Sequence, residues 1–339
     1  MQNDIWLHIA KFARMAPSPH NTQPFRLKRQ NKLCCDVVFL PRRGLYFGDP
    51  QGRFTWLAAG VFVEICKIVA HRQSCELDVN WHFSAMYPNA DYQSPQTLAT
   101  LTLRPVVAPL EDFDPELIMQ RQTSRLPYDG KTCPPEVISE MQSEAILQGH
   151  TFETRIDADS IRWVVELNKQ ALFHDLDNQG ARAELIEWLR FDQREENLKR
   201  DGLSARCMAL SGPLLRNFFF NHRFWCLPII RSITGAVYKS TMKGIGTIGW
   251  LRGPYMTIED WVRSGSVMFR LWLILTKHGF YWHPYGSVIT SEDARLNMIK
   301  YLDLSDEAGG ENMVWLLLRL GHSQKPPQSL RLPIEELFL

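Results

Sequence analysis

One pattern that occurs twice constrains this chain more than any other feature. WLAAG at 56–60 opens a long apolar helical stretch, and WVRSG at 261–265 opens another. Downstream of each lies an apolar strand that reaches an arginine: LATLTLR ends at Arg104, and VWLLLRL carries Arg319. A helix-and-strand unit recurring in one chain predicts two related α/β halves packed as a pseudodimer. Helices alternating with few strands favour an α+β sandwich over a strictly alternating parallel sheet. The Pro-rich connector RPVVAPLEDFDPE separates the copies, so the halves are expected at 1–110 and 111–339.

Composition excludes several classes. The chain has 339 residues, a length that suits two domains, and its net charge of +1 gives no ground for a nucleic-acid partner. Seven cysteines lack any CxxC spacing, which fits reduced thiols. MQNDIW leads directly into a helix carrying Lys11 and Arg14, so no signal peptide and a cytoplasmic location are expected. The longest apolar stretches, around FFFNHRFWCLPII and MFRLWLILTKHGFYW, are broken by Arg, His or Lys. No membrane span, and no membrane contact, is therefore expected.

Local patterns place the elements. Ile5 to Met15 reads as a helix stopped by Pro17; PFRLKR and CDVVFL read as strands. Asp49-Pro50 predicts a helix start, with the helix running to about Arg72. ELDVNWHF and LATLTL are strands, PPEVISEMQSEAI is helical, and helices are expected near 158–171 and 181–199. Thr257 and Asp260 cap a helix that ends at Gly279; MVWLLLRLG is a central strand, and SLRLPIEELFL an arm.

Between Gly202 and Ile258 there is no Asp or Glu, against five Arg and two Lys. The stretch reads as an insertion whose arginine stems cover apolar surface, as a lid over an anionic cofactor, or as a membrane-surface patch. The lid is the favoured reading. KGIGTIG within it is a formal GxGxxG, but it lacks the strand before and helix after that a dinucleotide site needs, so its glycines read as hinges. No metal site is expected: His278 and His283 flank Gly279, and His20 and His322 are single.

Two stretches concentrate polar chemistry. APSPHNTQPF at 16–25 puts a hydroxyl, an imidazole and two amides straight after a helix stop. Locally it reads as a turn. In RQTSR, Arg121, Thr123 and Arg125 alternate, so in an extended segment they share a side, a good phosphate site. Arg331, in SLRLP, could join the same anion.

Together these segments resemble the nitroreductase superfamily of FMN enzymes. RQTSRLPYDGKTCPPEVISEM is similar to the family's phosphate segment, APSPHNTQPF to the Pro-Ser-Ser-x-Asn-x-Gln-Pro-Trp segment beside the flavin ring, and SLRLP to its C-terminal phosphate-reaching arm. With WLRFDQREENLKRDGLS and RLGHSQKPPQSLRLP, the likeness extends to a long, internally duplicated subgroup. It implies an α+β fold, a three-layer α-β-α sandwich whose two related halves form an intrachain pseudodimer. In the ordinary family each flavin is shared between two subunits. Here the ring motif precedes the phosphate motifs, so one site would form between the halves. No second Pro-Ser-x-x-Asn follows, and fifteen residues precede Ala16, so one FMN per chain is expected.

Carried over residue by residue, the resemblance implies that Arg121, Gln122, Thr123, Arg125 and Arg331 hold the phosphate and ribityl end. Pro17, Ser18, Pro19 and Asn21 would contact the ring, and Pro284, Tyr285 and Gly286 in HPYGS would lie at its other side. Gln122 stands at a usually basic or His position, Ser329 at a frequent Lys, and Phe25 at the usual Trp. The implied activity is NAD(P)H-dependent reduction of a small-molecule acceptor such as a nitroaromatic or quinone, with no catalytic side chain required. The alternative is a flavin-binding protein that stores FMN under the 202–258 lid. A monomeric pseudodimer or a homodimer fits either.

Overall fold

The computed structural model describes residues 4–83, 94–108, 113–305 and 310–339. The 110/111 boundary expected between the halves lies outside them. Helix α1 (Ile5–Ala13) is capped by Asp4 and buries Trp6, Ile9 and Phe12. After a 3-10 turn at Pro19–Asn21 come β1 (Phe25–Arg29), β2 (Cys34–Phe39), α2 (Arg53–Arg72), β3 (Cys75–Trp81) and β4 (Gln96–Pro105). Helix α2 begins three residues later than expected. Its N-cap is Gly52 at φ 72, and Asp49 instead accepts from Thr55 N at 2.8 Å and Phe54 N at 3.2 Å. The four strands form an antiparallel sheet in the order β1-β2-β4-β3.

The rest of the chain repeats that plan with an excursion. Short α3 (Glu116–Gln120) leads through the RQTSR segment to α4 (Pro135–Leu147), β5 (Thr151–Arg155) and α5 (Ala158–Asp177). The helix expected over 181–199 is two helices, α6 (Gln179–Trp188) and α7 (Gln193–Lys199). They are parted by the two-residue strand β6 (Leu189–Arg190), which pairs in parallel with β7 (Leu203–Ser204). Then follow α8 (Gly212–Phe220), α9 (His222–Trp225), α10 (Pro228–Thr241), β8 (Thr247–Gly253), α11 (Ile258–Lys277), β9 (Tyr281–Pro284), α12 (Gly286–Thr290), α13 (Glu292–Leu302) and β10 (Met313–Gly321). The local sequence patterns do not mark β8, β9, α12 or α13 as separate elements.

The second sheet runs β5-β8-β10-β9. Counted in chain order within each sheet, both sheets therefore stack their strands first, second, fourth, third. The long helices meet in the same reciprocal way. A Cβ on Gly60 would lie 2.0 Å from the Val262 carbonyl oxygen, and one on Gly265 would lie 2.0 Å from that of Leu57. Leu57 and Val262 hold the same place in WLAAG and WVRSG. Only a residue without a side chain lets two helix backbones approach this closely. The capping box at Thr257 and Asp260 starts α11 as expected.

Helices α1, α2, α4 and α11 share one apolar core with both sheets. On its other face the second sheet packs α5, α12 and α13, so this half has three layers, α-β-α. Helix α2 is apolar and long enough to cross a membrane, but 83% of the qualifying window is buried in this core.

The basic 202–258 stretch is not one insertion. Its helices α8 to α10 form an excursion, in which α8 sets Leu215 and Phe219 into a small core with Leu176, Leu189, Phe191 and Ala205, while Tyr238 of α10 packs against the core of the second sheet. Thr247–Gly253, by contrast, is the inner strand β8, almost wholly buried between β5 and β10. The glycines of KGIGTIG serve close packing. A Cβ on Gly244, at φ 72, would lie 1.8 Å from the Tyr128 carbonyl oxygen, and one on Gly246 would lie 2.2 Å from that of Lys131.

Candidate functional site

The Pro-Ser-Pro-His-Asn turn is a strained piece of backbone held from outside. His20, Asn21 and Gln23 have φ of 49, 54 and 51, a left-handed conformation that side chains disfavour. Ser18 Oγ accepts from Gln23 N at 2.9 Å and Asn21 N donates to Ser18 O at 2.9 Å. The remaining ties reach far along the chain. Asn21 Nδ2 donates to the carbonyls of Gly202 at 3.1 Å and Leu330 at 3.2 Å, and Gly202 N donates back to Asn21 O. Gln23 donates to Arg200 O at 2.9 Å and accepts from Leu332 N at 2.9 Å. Arg43 donates to Thr22 O at 2.6 Å and pairs with Asp201 at 2.9 Å. A loop at 200–202 and the arm at 330–332 thus clamp the turn.

Beside this turn the fold collects arginines without acids. RQTSR runs alongside β9: Thr123 bridges Trp282 in parallel, and Ser124 N donates to Trp282 O at 3.2 Å. Arg121 is buried with its guanidinium 4.1 Å from the Trp272 ring centroid. Desolvation pushes its pKa down to about 9, and Arg331 nearby adds to the fall. Arg331 is itself lowered to about 10 by burial. Arg319 lies opposite His283 in the β10–β9 pair and is fully buried. It sits 4.4 Å from the Tyr128 ring centroid and donates to the Ser124 and Leu126 carbonyls. Among the described residues no ion pair joins Arg121, Arg125, Arg319 or Arg331 to a carboxylate. Arg121 Nε, Arg331 Nε, and Nε and Nη1 of Arg319 are buried without a partner.

Two imidazoles face Arg125. His20 is driven down to about 4 by desolvation and then by Arg125. His283 falls well below its ordinary value by desolvation, then Arg125 and Arg319. Both are neutral at pH 7, and each has a buried, unpartnered Nδ1. His20, Arg125 and His283 are each half-buried and keep part of their surface accessible. Buried cations that lack a counter-charge are costly, and an anion seated among them relieves that cost.

The residues singled out in the sequence divide into three sets. Arg121 and Arg331 come together, as do Arg125 and the turn at His20. Gln122 is buried with Oε1 free, and Thr123 is half-buried in its bridge to Trp282. Pro17 and Pro19 are half-buried in the turn. Ser18 and the Asn21 amide nitrogen are spent on holding the turn and arm, which leaves Asn21 Oδ1 as the buried free acceptor. Pro284 pairs with Leu318 at the end of β9. Tyr285 directs its hydroxyl to the Met242 sulfur at 3.7 Å within the second core, and Gly286 is exposed. His283, one residue earlier than that set, is the part of HPYGS that reaches the arginines. Sequence reasoning missed His20, His283 and Arg319 as site residues. Arg319 had a signal, being the one charge in the nine-residue apolar strand MVWLLLRLG.

One grouping of metal-type ligands occurs elsewhere among the described residues, at Asp177, His222 and Cys226. The Asp177 carboxylate there is already held by Arg231 at 2.8 and 2.9 Å.

No protein-family model matches the chain. It is 24% identical over 305 residues to the "Probable NAD(P)H nitroreductase PigM" of Serratia sp., an alignment covering 84% of this chain and 80% of that protein. The chain is thus similar to a protein named as a nitroreductase. Among solved structures, similarity is found to the FMN and NADPH-dependent nitroreductase NfnB of sphigopyxis sp. strain HMH, at 14% identity and a TM-score of 0.37, over 65% of this chain and 95% of that one. The FMN-dependent NfnB of Mycobacterium smegmatis in complex with NADPH gives 14% and 0.38, over 65% and 94%. A nitroreductase-like family protein from Bacillus cereus gives 14% and 0.34, over 65% and 91%.

Proposed function

We propose that this nitroreductase-like chain is an FMN-dependent NAD(P)H oxidoreductase that reduces a small electrophile such as a nitroaromatic or quinone. The observation that carries the reading is the set of buried Arg121, Arg319 and Arg331 with half-buried Arg125, which has no ion-pair partner among the described residues. Such a set suits a dianionic phosphate and a flavin ring that tolerates positive charge beside it. Bound FMN would supply two-electron redox chemistry. Arg121 and Arg331 would grip the phosphate, with Gln122 and Thr123 along the ribityl chain. The turn from Pro17 to Asn21 would border the ring with Asn21 Oδ1 as acceptor, and Pro284 to Gly286 would border its far side. His20 and His283, neutral at pH 7, add hydrogen-bonding capacity beside Arg125 without adding charge.

On this reading the chain is a pseudodimer, with halves at 1–110 and 111–339, that builds one site between them. The two arginines of the repeat support a single site. Arg104 is exposed and paired with Glu76 and Asp78, whereas Arg319 is buried without an acid. The excursion would wall the site, since Tyr238 on α10 lies close enough to Arg125 and Arg319 to sense their charge.

The test is the absorption spectrum of the purified protein reconstituted with FMN, before and after anaerobic NADPH. A flavin spectrum that bleaches, then returns on adding a quinone or nitrofuran, is the expected result. Protein that takes up FMN but does not bleach supports storage instead, and protein that takes up no FMN refutes both.

A further inference from the structure

The helical excursion carries exposed apolar residues that take no part in the arginine site. On α10, Ile229, Ile233 and Val237 follow one another at four-residue steps and are 76%, 56% and 51% exposed. Phe220, Phe224 and Leu227, from the end of α8 through α9 to the start of α10, add exposures of 60%, 50% and 51%. Leu215 and Phe219 of the same excursion are turned into its small core. The segment thus has enough apolar residues for both an inner and an outer face, and the outer one is open to solvent. Six exposed large hydrophobes within eighteen residues of three successive helices are more than the scattered hydrophobes of an ordinary surface.

Charge selects the occupant. No acidic residue lies between Gly202 and Ile258. Arg216, Arg231 and Lys239 are paired with Glu195, Asp177 and Glu166 of neighbouring helices, but Arg223 and Lys243 have no ion pair among the described residues. Arg223 sits on α9 between the exposed Phe220 and Phe224, and Lys243 follows the C-terminal end of α10. Exposed aromatic and aliphatic side chains with the unpaired Arg223 among them, and no acid in the helices themselves, match the interface of an anionic bilayer. The sequence favoured a lid because it could not tell which of these apolar residues point outward.

We propose that α8 to α10 form a membrane-docking surface that lies on anionic phospholipid, inserting Phe220, Phe224, Leu227, Ile229 and Ile233 into the headgroup and acyl boundary. The proposal does not depend on the cofactor reading, because none of these residues belongs to the arginine site.

The experiment is co-sedimentation of the full chain with vesicles of phosphatidylcholine alone and of phosphatidylcholine mixed with phosphatidylglycerol. Binding to the mixed vesicles, weakened by salt, is expected. Ile229→Asp with Ile233→Asp should lower the bound fraction at least about tenfold. Both residues are exposed, so an unchanged melting temperature separates lost docking from lost folding. Arg223→Glu with Lys243→Glu should remove most of the salt-sensitive part. Absence of sedimentation overturns the proposal, as does equal binding to neutral vesicles at every salt concentration. A lipid-free dimer that the Ile229→Asp and Ile233→Asp changes dissociate also overturns it, since a second copy would then cover this face.

Discussion

Replacing Arg121 with Met should make the empty protein more stable and the loaded protein weaker. Arg121 is 5% exposed and its pKa is held down at about 9, first by desolvation and then by Arg331. Against an ordinary guanidinium value of about 12.5, that drop corresponds to a cost on the order of 5 kcal/mol for keeping the charge in the fold. The Trp272 ring, 4.1 Å from the guanidinium carbon, returns about 1–2 kcal/mol. Methionine keeps an unbranched stem of similar reach and removes the charge, so the net gain is roughly 3 kcal/mol, or about 4 °C in melting temperature for a chain of 339 residues. The sign follows from the direction of the shift. A base with a lowered pKa in the fold carries its full cost at every pH below that value. The advantage of Arg121→Met is therefore flat across neutral pH and shrinks only as pH rises above about 9. The same change removes a charge-assisted phosphate contact of about 1.5–3 kcal/mol, which is roughly 10- to 150-fold in FMN affinity. Calorimetry of the FMN-free protein and a fluorescence titration with FMN measure the two effects. A variant that melts lower than the parent, or that holds FMN equally well, refutes the reasoning.

Two further outcomes follow from the packing. Gly60→Ala or Gly265→Ala places a methyl group 2.0 Å from a carbonyl oxygen of the facing helix, so each should cost about 2–4 kcal/mol in urea unfolding, and a loss below about 0.5 kcal/mol would contradict the crossing. His150 is buried, accepts from Trp315 Nε1 at 3.2 Å on Nδ1, and is lowered to about 4 by desolvation, so the unfolded chain binds its proton first as pH falls. Stability should fall by up to about 3 kcal/mol between pH 6.5 and 4 on its account. His150→Phe should be less acid-sensitive than the parent by that amount, and equal pH slopes would count against it.

Much of this fold was legible because its strongest signals are local. The capping box at Thr257, the glycine stop at Gly279 and the apolar run of β10 each depend on neighbours within a few residues, and each is found where the sequence placed it. The repeat was legible too, but what its glycines do was not. That Gly60 and Gly265 face Val262 and Leu57 is a matter of two helices meeting, which no spacing within either one reveals. Strand β8 was hidden because TIGWLRG carries two glycines and follows a glycine run, so its β character comes from pairing on both sides with β5 and β10. Strand β9 ends in Pro284 at the sheet edge, where a missing N–H costs least.

In the candidate site, residue type was legible and environment was not. The sequence picked out Arg121, Arg125 and Arg331 as cations that could meet, and burial of Arg121 and Arg331 beside one another fits that reading. It gave Asn21 and Ser18 a role toward the ring, whereas most of their hydrogen-bonding capacity holds the left-handed turn to Gly202 and Leu330. The difference arises because a turn with three left-handed side-chain-bearing residues needs outside support, and that support comes from segments about 180 and 310 residues away. Neutral His20 and His283 were invisible as a pair, since their common neighbour Arg125 is brought to them only by the fold.

The most direct test of the central claim, that the buried arginines form a phosphate site for FMN, compares FMN with riboflavin, which lacks only the phosphate. Equilibrium titration of the flavin-free protein should show FMN binding at least about 100-fold more tightly than riboflavin, with the gap largely closed in Arg121→Met. Equal affinity for the two flavins, or a gap that survives in the variant, would contradict the assignment of Arg121 and its neighbours.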